Sequence, residues 1–232
     1  MNKFFFLLIL LPLLTFSQTS FEKAEKLFKQ GKYALAKPIF ETILIDNPHD
    51  LRTLEYLGDI EGAAKSWDQA MFYYDNLKKL DSTNANYYYK YGGCLGMKAK
   101  DSNKFKALGM ISDIQSSFEK AIKLNPNHLE ARWALIELYL QLPGIVGGSE
   151  RKAERYASEL LKISPVDGYL AKGHIAEYFN RYKDAEKNYT KAIAISGSKT
   201  TYKKLADLYK NKMNQPERAK TVLENYQERN KS

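Results

Sequence analysis

Few residues in this chain have the types and spacing that chemistry requires. There are three histidines, His49, His128 and His174, and one cysteine, Cys94. His174 and Glu177 stand three apart, so on a helix they share a face. A metal centre needs further ligands at comparable spacing, and none accompany this pair. His49 and His128 follow Asn-Pro segments and read as turn residues. No H-E-x-x-H helix, nucleophile elbow or paired acid and base carboxylates is present. Cys94 has no second thiol to pair with and reads as a small buried helix position. The sharpest candidate is the loop Pro143-Gly144-Ile145-Val146-Gly147-Gly148-Ser149. It lacks the lysine and hydroxyl residue that close a phosphate loop, and it joins two helices where such a loop follows a strand. Backbone amides at the next helix start could still hold an anion. The structural alternative is a shaped connection in which Pro143 ends one helix, the glycines turn the chain and Ser149 caps the next helix. No catalytic residue, metal or cofactor is therefore expected, and the chain is not expected to be an enzyme.

The elements that position these residues are legible from a recurring set. A small or aliphatic residue is followed by a bulky one four later and a small or aliphatic one three after that. The copies are Ala36/Phe40/Ile43, Ala70/Tyr74/Leu77, Ile114/Phe118/Ala121, Ala153/Ala157/Leu160, Ala185/Tyr189/Ala192 and Ala219/Leu223/Tyr226. Their first residues are 34, 44, 39, 32 and 34 positions apart. Helical spacing within a period near 34 predicts stacked helix pairs, with the recurring set on each second helix. Copy three is long by ten residues around Lys98 to Ile111, which reads as a backward extension of its second helix through Lys104–Ile111. Copy four is long by five, the excess being the glycine loop.

These units resemble tetratricopeptide repeats. Copy two, numbered from Leu51, supplies Leu54, Leu57, Gly58, Ala70, Tyr74 and Leu77 at the packing positions of that family, and copy three supplies Tyr88, Tyr91, Gly92 and Leu95. Glu61 departs from the pattern at a usually apolar position, and Ser82 stands where proline is usual. The resemblance implies an all-α fold, a right-handed α-solenoid of about six helix pairs. It also implies that one face of each first helix lines an inner groove. Mapped residue by residue, that face holds Arg52, Glu55, Tyr56 and Asp59, then Asn86, Tyr89 and Lys90, then Glu130, Trp133, Glu137 and Gln141, then Leu170, His174, Glu177 and Tyr178. Aromatic rings among charges suit capture of a protein or peptide segment. The expected function is a non-enzymatic protein-binding scaffold. Phe21 and Glu25 replace the lysine and asparagine of the family's chaperone-tail clamp, so that partner is not expected. A Pro-Gly to Gly-Gly segment before an alanine-rich helix also resembles one found in the T-component of periplasmic tripartite transporters. An accessory solute-binding role is the alternative.

The N-terminus reads as separate from the fold. Met1-Asn2-Lys3 precedes an apolar run from Phe4 to Phe16, and small residues at Thr15 and Ser17 precede Gln18. This is the pattern of a cleaved secretory signal over 1–17, too short for a comfortable membrane span. The repeats then occupy 18–232, in copies of about 18–50, 51–84, 85–128, 129–165, 166–198 and 199–232. A periplasmic destination is expected, extracellular being the other, with no stable membrane anchor after cleavage. Net charge is +9, but 36 basic residues are interspersed among 27 acids through every repeat. That distribution reads as a solvated surface, and no nucleic-acid partner is expected.

Overall fold

The computed structural model describes residues 19–229, which are helical throughout with no strand. The signal segment and its cleavage site lie outside the described residues. Twelve helices alternate along the described chain. They are α1 (19–29), α2 (Tyr33–Asp46), α3 (Leu51–Ala63), α4 (Trp67–Leu80), α5 (Ala85–Asp101), α6 (Lys104–Leu124), α7 (Leu129–Gln141), α8 (Glu150–Ile163), α9 (Pro165–Tyr178), α10 (Tyr182–Ser196), α11 (Lys199–Asn211) and α12 (Pro216–Arg229). They form an α-solenoid of helix pairs, grouped into two compact units divided between Leu124 and Asn125. Each unit holds three pairs.

Local sequence sets the boundaries. Asp50, Asn84, His128, Ser149, Ser164 and Ser198 each cap a first or second helix by accepting a backbone N–H from the opening turn, which satisfies donors that lack an intrahelical partner. The turn inside a regular pair uses one left-handed residue. Gly31 (φ 72°), Lys65 (59°), Asn180 (59°) and Asn214 (53°) occupy equivalent places in four of the six pairs. The two stretched copies close differently. In copy three α5 passes directly into α6 through Ser102 and Asn103. In copy four a 3₁₀ turn at Gly144–Val146 ends on Gly147 at φ 105°.

In the first unit, Phe40 stacks on Tyr56 with centroids 4.8 Å apart, and Phe21 and Phe28 meet Tyr56 edge-on. Leu54, Ala70, Tyr74, Leu77, Tyr87 and Cys94 continue the buried core. Glycine is needed where paired helices approach: a Cβ on Gly58 would lie 2.8 Å from the Tyr74 ring, and one on Gly92 2.8 Å from the Ser117 side chain. In the second unit, Tyr189 is fully buried among Leu170, Ala185, Leu205 and Tyr209, and its ring fills the space beside Gly173.

The exception at Glu61 has a local explanation. Its carboxylate is buried but lies 2.7 Å from Lys37 Nζ on α2. An ion pair between neighbouring repeats thus takes the place of the usual apolar contact. The expected backward extension of the copy-three helix is present: α6 runs 21 residues, against 14 for α4.

Candidate functional site

The first helices of the first unit carry two neighbouring clusters of polar contacts. On α3, the Tyr56 hydroxyl donates to Glu25 Oε1 of α1 at 2.7 Å. Arg52 reaches the same carboxylate at 3.6 Å and covers the Phe21 ring at 4.1 Å. On α5, Lys90 Nζ donates to Glu55 Oε1 at 2.8 Å and to both Asp59 oxygens at 2.7 and 2.8 Å. Asp59 also accepts the Tyr74 hydroxyl at 2.6 Å. One cluster joins α1 to α3 and the other joins α3 to α5; the Tyr56–Glu25, Lys90–Glu55 and Lys90–Asp59 links each join residues 31 to 35 positions apart. That spacing is the repeat period, so equivalent positions on successive first helices become neighbours.

Electrostatics follow from these contacts. The Tyr56 hydroxyl and Lys29 hold the Glu25 carboxyl below its ordinary range. Burial and the bond to Glu25 push Tyr56 up to about 12. Burial by itself would lower Lys90, but Asp59 and Glu55 outweigh it and hold the ammonium above its usual value. Beneath this cluster, burial and the Asp59 charge push the Cys94 thiol up to about 11. Arg52, Glu55, Tyr56 and Asp59 line an open depression of about 260 Å³.

The second unit has a corresponding row on α7 and α9. Trp133 Nε1 donates to Asp167 Oδ1 at 3.1 Å. His174 Nε2 lies 2.6 Å from Glu137 Oε1, and Gln141 donates to Glu137 Oε2 at 3.2 Å. The His174 contact holds the Glu137 carboxyl below its ordinary range, with Lys204 of α11 adding a smaller pull. Glu177 accepts the Tyr189 hydroxyl at 2.8 Å.

The residues mapped from sequence are thus brought together in part. Arg52 and Tyr56 meet at Glu25, Lys90 meets Glu55 and Asp59 in a second cluster beside it, and Glu137 and His174 meet directly. Asn86 is exposed at the start of α5. The three rings are each half-buried. Tyr56 has its ring in the core and its hydroxyl on the face. Tyr89 leans on Phe118 of α6 at 5.9 Å. Trp133 packs on the second unit's core and presents its N–H edge. His174 and Glu177 do not act as a pair, since Glu177 turns to Tyr189 and His174 to Glu137.

In the glycine loop, Ser149 accepts the Lys152 N–H at 3.3 Å, Gly147 supplies a positive φ, and a Cβ on Gly148 would overlap the Leu142 carbonyl. These are the features of a shaped connection.

Sequence reasoning did not find a second feature of the first unit. An open apolar depression of about 590 Å³ lies between the end of α2 and the outer side of α4, with Ile45, Phe72 and Leu80 on its walls. Its signal was available: these three are large apolar residues outside the recurring packing positions.

Residues 21–85 match the family model for the tetratricopeptide repeat. No curated protein matches the chain. Among solved structures, a thermophilic tetratricopeptide repeat protein of Thermus thermophilus is 18% identical, with 89% of this chain and 98% of that chain covered and a TM-score of 0.63. A tetratricopeptide repeat protein from Parabacteroides merdae is 19% identical over 90% of this chain and 78% of its own, with a TM-score of 0.63. PilW, a type IV pilus biogenesis factor, is 15% identical over 89% of this chain and 90% of its own, with a TM-score of 0.65.

Proposed function

We propose that this chain, whose residues 21–85 match the tetratricopeptide repeat and whose fold is that of tetratricopeptide repeat structures, works as a non-enzymatic scaffold that binds a segment of a protein partner along its first-helix faces. The observation that carries this reading is the polar row from Glu25 through Arg52, Tyr56 and Asp59 to Lys90, with its open depression. Its charged groups are held in place by one another before any partner arrives, so little ordering cost falls on the scaffold. Arg52 is the most exposed member of the row and sets the charge that a partner's acidic residue would meet. Trp133, Glu137 and His174 form the equivalent face of the second unit. The likeness to YrrB, described as a tetratricopeptide repeat protein with an unusual peptide-binding site, supports this class of function at the level of fold; that match has 16% identity and a TM-score of 0.52.

Affinity capture tests the reading. Arg52→Glu combined with Asn86→Arg alters the face at two exposed positions outside the core, so the variant should keep its helical signal and lose the partner. Equal recovery of the partner by the folded variant would contradict the groove.

The leader read from residues 1–17 supports export to the cell envelope. N-terminal sequencing of the protein recovered from that compartment should begin at Gln18; an intact Met1 on cytosolic protein would overturn this part. The solute-binding alternative is not favoured. It calls for an enclosed apolar chamber, whereas the 590 Å³ depression opens to solvent.

A further inference from the structure

The α5–α6 hairpin is longer than its neighbour at one end only. α3 ends five residues after Gly58, whereas α5 ends nine after the equivalent Gly92. α4 begins three residues before Ala70, whereas α6 begins ten before the equivalent Ile114. The seven additional residues of α6 extend it by about 10 Å at the ordinary helical rise. The overhanging end of α5 is held to the start of α4. Trp67, the first residue of α4, donates its indole N–H to Asp101, the last of α5, at 2.7 Å, and Lys98 pairs with Asp68.

The composition of the tip is one-sided. Phe105 is 89% exposed, Leu108 45% and Met97 41%. Lys104 and Lys106 flank Phe105 in sequence, Lys100 lies one residue before the end of α5, and none of the three makes an ion pair among the described residues. Asp101 is the one acid between Met97 and Ile111, and Trp67 already engages it. An unpaired aromatic wedge flanked by long cationic side chains is unfavourable in water, and it suits a boundary where the ring enters an apolar layer while ammonium groups meet phosphates. Three unpaired lysines on a projecting tip match the negative potential of an anionic lipid surface.

We propose that the α5–α6 tip is a reversible contact for an anionic phospholipid bilayer, with Phe105 as the inserting residue and Lys100, Lys104 and Lys106 as headgroup ligands. This is a peripheral contact, since no described helix is long and apolar enough to cross a membrane. It is separate from the first-helix rows and does not depend on the proposed partner.

Hydrogen exchange of the full chain, resolved over 97–111, tests it locally and apart from any binding by the N-terminal run. Vesicles of phosphatidylglycerol and phosphatidylcholine should protect 97–111, and pure phosphatidylcholine should not. Lys100→Gln/Lys104→Gln/Lys106→Gln should raise the lipid concentration for half-protection about a hundredfold, and Phe105→Asp about tenfold. Each variant should keep the wild-type helical signal, because the substituted side chains are solvent-facing. Three outcomes would overturn the proposal: no protection at the tip, equal protection by neutral vesicles, or protection by polyglutamate where anionic vesicles give none.

Discussion

At the residue scale, the exceptions to the repeat pattern carry the most information. Glu61 stands in an apolar position because Lys37 neutralises it across the repeat boundary. Lys37→Met leaves a buried carboxylate without its partner and should cost about 1–2 kcal/mol in denaturant unfolding, discounted because Lys37 is itself partly exposed. Glu61→Leu restores the family's ordinary contact and should be neutral or stabilising. A large loss from Glu61→Leu would show that the ion pair itself is needed. Cys94 is buried below the Asp59 and Lys90 cluster, with its thiol pushed up to about 11. It should resist aromatic disulfide reagents at pH 8 and react only when denaturant opens the first unit. Rapid labelling of the native protein would contradict the burial.

Elements explain why some of the site was legible and some was not. The packing positions could be read because helix pairing imposes a fixed period: Gly58, Gly92 and Gly173 sit where a Cβ would press on a neighbouring side chain. Gly173→Ala should therefore destabilise by about 1–3 kcal/mol through displacement of the buried Tyr189. Gly144→Ala in the loop should stay within about 0.5 kcal/mol, since a Cβ there meets open space. The connection role of the glycine loop was likewise legible, because Ser149 and the glycines have local roles. Two things were not. The resemblance to the repeat family implied inner faces for Tyr56, Tyr89 and Trp133 but could not say how far each ring sinks into the core, because that depends on the neighbours Phe40, Phe118 and Asp167. Sharing a helix face with Glu177 also did not bring it to His174, because Tyr189 competes for that carboxylate. The family pattern says nothing of the overhanging tip, which lies outside the repeat.

For the whole molecule, the polar rows make stability depend on pH at both extremes. Glu25 in the first unit, and in the second Glu137 and Glu186, the latter accepting the Tyr209 hydroxyl at 2.8 Å, have carboxyls held below their ordinary range. Their contribution is present above the unfolded carboxyl value and is lost as pH falls through the depressed folded values. Tyr56 and Tyr209, one in each unit, are pushed up to about 12. Their contribution is complete below the ordinary tyrosine value of about 10 and is lost as pH rises through about 12. Melting temperature should therefore be highest between these limits and fall on both sides. A profile unchanged from about pH 10 to 12 would contradict the tyrosine–carboxylate contacts. Such pre-formed rows on the two units support the proposal of a scaffold that holds a protein segment. The most direct test is site-specific photocrosslinking in living cells, with the probe at position 86 on the first-helix face of α5 or at position 116, exposed on α6. The scaffold account predicts one discrete partner adduct from position 86 that Arg52→Glu abolishes, and none from position 116. Adducts from 116 alone, or from both positions regardless of Arg52, would contradict it.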